Sequence, residues 1–582
     1  MKKNNIIVLV ILCIFIALII LLSINLNKKD KLNKTDTSVD DLDTSVNLDT
    51  SDEKIDWSNY QDEQIVLSKS ITITEDGVYH LSGEINDGLI TVNTSGDVLL
   101  ILDNVKIVNN SGPAIYVESA NTVVIRTLND TENTLTDGSN YSNFDSDVEG
   151  VIYSKDDLIL EGDGTLILNS NKGDAIVCKD DLKINSGKFI INSKDDAIRG
   201  KDSVYILDGE FTINAKGDGI KSSNDTENDK GYVKIENGTF NITSSLDGID
   251  AKTKTIISGG TFDITTGGGS SSNSSWEYWG DNSNTSDSAK GIKAGDNIII
   301  TGGTYNLNTL DDAIHSNNYV GISAGKVTIT SGDDGIHADK ELVIDDGTID
   351  IKKSYEGLEA NTITINNGNI SIVSTDDGIN VAGGNDASAF GRPGEGMQNS
   401  SKSTLTINGG DIYVNASGDG LDANGSIYII GGNVIVDGPT NSGNGALDYD
   451  AECKITGGTL IATGASGMEQ SISSSSTQYG VLINFSNNYG NEDVISIVNS
   501  SGDEIMSYIG SKNFSSLVFS NSKLSKGTYT IKINGNVYQN FNIENILTTV
   551  GNSYGMNIGR GDRPNDMPGG MPNVRPGNIG RR

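Results

Sequence analysis

The sequence predicts an all-β fold: a right-handed parallel β-helix of about 22 residues per coil, closed by a small C-terminal β cap and preceded by a transmembrane helix. Three observations predict the β-helix. An aliphatic residue preceded by a small residue, and usually by an acid before that, recurs at Ile176, Ile198, Ile220, Ile249, Ile292, Ile314, Ile336, Leu358, Ile379, Leu421 and Leu447, with 22 residues as the commonest step. A second marker, Gly-x-aromatic/aliphatic-x-aliphatic, runs through Gly187, Gly209, Gly238, Gly260, Gly303, Gly325, Gly347, Gly368, Gly410, Gly432 and Gly458 on the same step. Segments such as Phe211-Thr212-Ile213-Asn214 and Tyr305-Asn306-Leu307-Asn308 alternate apolar and polar residues, the period of a strand. The unit is too short for helical-hairpin repeats, and the Leu/Asn signature of leucine-rich repeats is absent. Coils of short strands stacked ~4.8 Å apart remain. The eleven marked coils then form a rod on the order of 50 Å long, extended by less regular coils from about Ile65 to Leu168.

In chain order, residues 1–27 come first. Lys2 and Lys3 precede an apolar run from Ile6 to Leu22 that continues to Leu26, ~20 residues and enough to cross a bilayer as a helix. No small-x-small cleavage site follows, which favours an uncleaved signal anchor over a cleaved signal peptide. The expected location is extracellular, held to the cell membrane by this segment, or secreted if it is cleaved. Residues 28–55, rich in Asp, Ser and Thr, have too little apolar surface to fold and read as a disordered stalk. The β-helix is expected over 56–470. In 471–550 the marker lapses, and strands such as Val481-Leu482-Ile483 and Tyr529-Thr530-Ile531-Lys532-Ile533 read as a cap over the solenoid end. Residues 551–582 form a Gly/Pro/Arg tail. Departures from the 22-residue step place insertions at Asn224 to Lys230, Gly267 to Ser288 and Gly383 to Ser403. Loop length costs little, so these are natural places for added function.

Composition narrows the partners. Of 582 residues, 42 are Lys or Arg and 78 Asp or Glu, a net charge of −36, which disfavours nucleic acid and anionic lipid. Cys13 lies in the apolar run, and Cys178 and Cys453 stand far apart at opposite ends of the marked coils, so neither a disulfide framework nor a zinc spacing is available. A monomer is expected.

The acids are periodic. Asp174, Asp196, Asp218, Asp247, Asp312, Asp334, Glu356, Asp377 and Asp419 stand two residues before the aliphatic marker, with Lys290 as the one basic replacement. Stacked coils turn them into a carboxylate ladder, and like charges that close repel by ~1 kcal/mol per pair even in water. Two compensations are open: Asp capping its own turn, or Ca²⁺, which takes six to eight oxygens from carboxylates and carbonyls. The best Ca²⁺ candidates add acids three residues later and one coil below: Asp247 and Asp250 over Asp218; Glu356 and Glu359 over Asp333 and Asp334; Asp419 and Asp422 over Asp376, Asp377 and Asn380, the richest cluster.

The DDAI, DDGI and GDGI turns at Asp195, Asp311, Asp333, Asp376 and Gly217, the GGTF and GGTY strands at Gly259 and Gly302, and the cap segments Ser516-Leu517-Val518-Phe519-Ser520 and Gly527-Thr528-Tyr529-Thr530 carry a resemblance. Over roughly residues 60 to 545 the chain resembles bacterial extracellular β-helix proteins with a carbohydrate-binding domain, which are similar to calcium-binding polysaccharide lyases. The resemblance implies cellulose or pectic polysaccharide as ligand. Sugar binding also has support from the residues. The insertion after Gly267 carries Trp276, Tyr278 and Trp279, whose flat rings can stack on pyranose C–H groups or pack the loop onto the rod. Phe390 and Arg392 in the later insertion are further candidates.

A chain this acidic does not attract an acidic polymer by bulk electrostatics, so Ca²⁺ would have to bridge carboxylates on both sides. The expected function is therefore non-catalytic, calcium-assisted binding of an acidic pectic polymer or cellulose at the cell surface. Two alternatives remain: a polysaccharide lyase working by calcium-assisted β-elimination, with Lys221, Lys293 or Arg199 as base, and a structural surface spacer or adhesin. For the three cations, pairing with the ladder is the competing role.

Overall fold

The computed structural model describes residues 55–271, 288–381 and 403–552, together with Val39. Among the described residues the regular structure is strand apart from one short 3-10 turn, Trp57–Asn59. Coils of three short parallel strands are stacked so that each strand pairs with its equivalents one coil before and one coil after. On the first face Asp174–Cys178, Ile198–Gly200, Ile220–Ser222 and Ile249–Ala251 stack with the marker aliphatics in register, Ile176 on Ile198 on Ile220 on Ile249. Asp181–Ile184, Ser203–Ile206 and Tyr232–Ile235 begin the second face, and Lys188–Asn192, Glu210–Ala215 and Thr239–Ser244 the third. The pattern runs on to Leu447–Tyr449, Glu452–Ile455 and Thr459–Gly464. It already operates earlier, where Ile115–Ser119 and Gly150–Ser154 carry the first face.

Alternation decides which residues enter the core. Glu210–Ala215 buries Phe211, Ile213 and Ala215 and exposes the residues between them, and one apolar column from each face meets inside the coil. Because equivalent positions stack, Phe189, Phe211, Phe240, Phe262 and Tyr305 form a ring column with centroids 4.9, 4.7, 4.6 and 4.8 Å apart and planes within 8°. Phe240 at its middle is 1 % exposed. Phe240→Ala is expected to cost about 3–5 kcal/mol, because a rigid stack cannot close over the cavity; a denaturant midpoint unchanged from the parent chain would contradict this.

Both glycine markers have backbone causes. The second series precedes the third-face strand with positive φ, for example 98° at Gly303 and 115° at Gly368, a region that L side chains rarely adopt. The small residue before the first-face aliphatic is held by close stacking: a Cβ on Gly357 would lie 2.3 Å from the Gly378 carbonyl oxygen.

At the C-terminal end, Phe514–Asn521 pairs antiparallel with the last third-face strand, Thr459–Gly464, and with Gly480–Tyr489, so the final coil edge is paired rather than open. A separate antiparallel sheet runs in the order Glu504–Tyr508, Ile495–Asn499, Gly527–Ile533, Asn536–Ile543. Phe485, Ile497, Phe514, Phe519 and Ile531 give this end its own apolar cluster. Asp437 fastens it to the coils, accepting hydrogen bonds from the Tyr508 hydroxyl (2.7 Å), the Tyr413 hydroxyl (3.0 Å) and the Ser511 amide (3.0 Å).

Cys178 and Cys453 are buried free thiols. The predicted signal anchor, most of the stalk, the tail and most of the two long insertions lie outside the described residues, and with them Trp276, Tyr278, Trp279, Phe390 and Arg392. Among the described residues no helix is long and apolar enough to cross a membrane.

Candidate cation site along the acidic ladder

The first face carries two parallel columns of side chains. One is the acid ladder, two residues before each marker aliphatic. The other is the residue just after each aliphatic; strand register runs it through Tyr153, Val177, Arg199, Lys221, Asp250, Lys293, His315, His337, Glu359, Asn380, Asp422 and Asp448.

Every aspartate of the ladder caps the backbone of the next coil; Glu356 instead accepts from the Asn380 side chain. Asp174 Oδ1 accepts from the Asp196 amide (2.9 Å), Asp196 from Asp218 (2.8 Å), Asp218 from Asp247 (2.8 Å) and Asp247 from Lys290 (2.7 Å). Asp312, Asp334 and Asp377 do the same for Asp334 (3.0 Å), Glu356 (3.1 Å) and Asp419 (2.6 Å). This corrects the expectation that Asp caps its own turn: the bond crosses between coils, as stacking at strand spacing allows. Where Lys290 replaces the acid, Asp311 Oδ1 takes over the Asp312 amide (3.0 Å).

The second carboxylate oxygen of Asp174, Asp196, Asp218, Asp247, Asp312 and Asp334 meets the neighbouring column, and the kind of partner changes along the ladder. In its N-terminal part the partners are cations. Arg199 reaches Asp174 (2.7 Å) and Glu149 (2.6 Å); Lys221 reaches Asp218 (2.6 Å) and Asp196 (3.3 Å); Lys293 reaches Asp247 (2.8 Å) and Asp250 (3.8 Å); Lys290 reaches Asp312 (2.7 Å) and Asp311 (3.1 Å). Burial works against the charge on Lys221 and Lys293, but the carboxylates around them outweigh it and hold both ammonium groups above the ordinary lysine value. In the middle the partners are imidazoles: His315 Nδ1 lies 2.8 Å from Asp312, and His337 Nδ1 lies 2.7 Å from Glu359 and 3.3 Å from Asp334. Burial opposes the charge on His337, yet its bonds to Asp334 and Glu359 push it up to about 12.

Beyond Glu359 no further cation pairs with the two columns among the described residues. Asn380 Nδ2 donates to Glu356 Oε2 (2.7 Å), and its Oδ1 is buried with no hydrogen-bond partner, on a residue 4 % exposed. Asn380 is in register with Asp422, which is in register with Asp448. Among the described residues no basic side chain pairs with Asp377, Asp419, Asp422 or Asp448; the one side-chain donor there is the Gln470 amide, on Asp448 Oδ1 (2.5 Å). Burial, then the neighbouring carboxylates, raise Asp422 to about 8 and Asp377 to about 7. Burial also raises Asp419, to about 6, with the Gly445 amide opposing. The lower ladder acids are buried, whereas Asp377, Asp419, Asp422 and Asp448 are half-buried, so the ladder opens to solvent where it lacks cations.

Of the residues singled out from the sequence, the structure therefore brings Asp377, Asn380, Asp419 and Asp422 together, with Asp376 on the same turn, and adds Asp448. It gives Asp218, Asp247, Asp250, Asp334 and Glu359 cationic partners of their own. Asp333 lies beside Asp334 and, with Asp311 and Asp312, completes another group of carboxylates. The His pair and Asp448 were missed. The signal was the position after each aliphatic marker, read down the repeat as its own column; Asp448 escaped because Gly445 breaks the acid pattern in its coil.

The seven-residue insertion is pinned to the preceding coil, since Asn224 Nδ2 and Lys230 Nζ both bind Asp202 (2.7 and 2.5 Å), and Asn224 Oδ1 accepts from the Thr226 and Glu227 amides.

Comparison with known proteins finds a family model described as carbohydrate-binding domain-containing protein, matching residues 68–335 and 333–378, just over half of the chain. A curated relative of the same description from Acetivibrio thermocellus is 32 % identical over 170 residues, 28 % of this chain and 58 % of the relative. The match thus spans less than two thirds of that relative. A solved structure, a polysaccharide lyase-like protein from C. thermocellum in a gadolinium derivative, is similar at 32 % identity with a TM-score of 0.35, covering 36 % of this chain and 92 % of that one.

Proposed function

Because the chain belongs to the family of carbohydrate-binding domain-containing proteins, we propose that it binds polysaccharide without catalysis, with Ca²⁺ held in the open part of the ladder and an acidic pectic polymer as the preferred ligand. The observation that carries this reading is the run of carboxylates at Asp377, Asp419, Asp422 and Asp448 that have no cationic partner among the described residues, beside Asn380 Oδ1, which has no hydrogen-bond partner among them. Hard oxygen donors, carboxylate and amide, with no nitrogen or sulfur among them, fit Ca²⁺. Asp377, Asn380, Asp419 and Asp422 would hold the ion, and Asp376 and Asp448 border it. Bound Ca²⁺ would supply positive charge on an otherwise acidic face. The residues themselves hold the carboxylates: the capping bonds fix one oxygen of Asp377 and of Asp419 on the next coil, and the other would be available to the ion.

Cellulose, being neutral, would rely on ring stacking, for which Trp276, Tyr278, Trp279 and Phe390, with Arg392, remain the candidate residues. The extracellular location and the anchor at residues 1–27 belong to the same proposal. A lyase reading has less support, because Arg199, Lys221 and Lys293 are bound to ladder carboxylates and held protonated, the opposite of what a general base needs. Binding of the full chain to polygalacturonate is expected to fall at least tenfold in chelator and to return with added Ca²⁺. Equal binding with and without chelator would contradict the calcium reading, and release of unsaturated, ultraviolet-absorbing products would contradict the non-catalytic one.

A further inference from the structure

The middle of the ladder differs in kind from the calcium cluster. Of three His in the chain, two stand on adjacent coils in direct register, His315 on His337, with ring centroids 4.7 Å apart and planes 22° from parallel. Both are buried, at 5 % and 0 % exposure, as are Asp312, Asp334 and Glu359. Both Nδ1 atoms face carboxylates, and both Nε2 atoms already have acceptors: Asn317 Oδ1 at 3.1 Å from His315 and Asp339 Oδ1 at 3.2 Å from His337. With an acceptor at both nitrogens, a neutral ring, which carries one hydrogen, leaves one lone pair aimed at oxygen; with the hydrogen on Nε2 it is the Nδ1 lone pair that faces carboxylate. Lone pair against carboxylate is repulsive, so a cation belongs between them: a proton on each ring, or one metal ion shared by both. An imidazole whose distal N–H is held by a carboxylate or carbonyl is the recurrent outer-shell arrangement of metal-ligating histidine.

We propose that Asp312, His315 and His337 form a mixed nitrogen–oxygen site for a borderline divalent transition metal such as Zn²⁺, with Asp334 and Glu359 at its edge. One ligand atom from each of Asp312, His315 and His337 lies within 4.8 Å of the others, and the same is true of Asp334, His337 and Glu359. Tetrahedral zinc spaces its donors ~3.3 Å apart, so the 2.8 Å contact between His315 Nδ1 and Asp312 Oδ2 has to open only slightly. Lys290 Nζ also sits on Asp312 Oδ2 (2.7 Å), and it has Asp311 Oδ1 at 3.1 Å as a second partner when the metal takes that oxygen. Imidazole nitrogen selects against Ca²⁺, which prefers oxygen. The ladder would then hold two metals of different hardness, and this site does not depend on the carbohydrate reading.

The test is Co²⁺ titration of the metal-stripped full chain, with millimolar Ca²⁺ present to occupy oxygen-only sites. One equivalent of Co²⁺ is expected to give a visible absorption spectrum with imidazole ligation, reversed by Zn²⁺. His315→Asn and His337→Asn should each weaken binding by about 100-fold, and Asp339→Asn, through the outer shell, by about 10-fold. Absence of the spectrum in the parent chain, or a Co²⁺ affinity unchanged from the parent in both His variants, overturns the proposal. Circular dichroism reports whether the variants keep their β-sheet. If a His variant unfolds, the half-buried Asp339 carries the test, and unchanged affinity in Asp339→Asn overturns the proposal.

Discussion

Asp218→Ala is expected to destabilise the folded chain by about 3–5 kcal/mol, the usual cost of removing one member of a buried ion pair. The substitution orphans two groups at once: the Asp247 amide, capped at 2.8 Å by Oδ1, and Lys221 Nζ, bound at 2.6 Å by Oδ2. Lys221 keeps only the longer contact to Asp196 at 3.3 Å. Asp218→Asn separates the two roles, since an amide oxygen can still cap Asp247 but leaves Lys221 without its nearest countercharge. Its loss should be smaller than that of alanine and larger than zero. Denaturant unfolding of the two variants checks this order, and an alanine variant within 0.5 kcal/mol of the parent chain, the ordinary range for a surface change, would contradict the capped-ladder account.

The same chemistry at Asp422 predicts the opposite sign. Asp422→Asn removes a carboxylate that, among the described residues, has no basic partner, and it relieves Asp377, Asp419 and Asp448 of a like charge. Without metal at pH 8, the variant should be more stable than the parent by on the order of 1–2 kcal/mol, after discounting for solvent at a half-buried site. The pH dependence follows from the direction of the shifts. Asp377, Asp419 and Asp422 bind protons more tightly folded than unfolded, with folded values of about 7, 6 and 8 against 3.8. Their contribution is therefore fully present below pH 3.8 and is lost as pH rises through about 6 to 8. The metal-free parent should lose melting temperature from pH 5 to pH 8, and Asp422→Asn should flatten that loss. If Ca²⁺ binds the folded state as proposed, saturating Ca²⁺ is expected to raise the parent's melting point by mass action and to leave Asp422→Asn nearly unmoved. A calcium response of equal size in both proteins would place the ion elsewhere.

How much of this was legible in the sequence depends on what repeats. The coil was legible because Ile176, Ile198 and Ile220 must stack for the core to close, and because the Gly187 series needs positive φ before each third-face strand. Stacking of Asp377 under Asp419 and of Asn380 under Asp422 follows from the same period. What each carboxylate does was not legible. Whether Asp247 meets Lys293 from the next coil depends on the reach of a side chain between coils, and local spacing does not encode that. The two His read as isolated residues until strand register placed His337 directly over His315. The Tyr413–Tyr508–Asp437 seam ties two coil residues to Tyr508, which is 71 residues beyond Asp437 and lies where the repeat has ended, so no period pointed to it.

As far as the His337 coil the acid ladder meets side-chain cations, and Ca²⁺ is proposed for the described carboxylates beyond it. The most direct measurement is calcium anomalous scattering from crystals of the full chain grown with Ca²⁺. The account predicts a peak among the carboxylates of Asp377, Asp419 and Asp422, with Asn380 Oδ1 as a ligand and no peak between Asp218 and Asp247. An empty Asp377–Asp422 cluster at saturating Ca²⁺, or calcium seated instead among the lysine-paired coils, would contradict it.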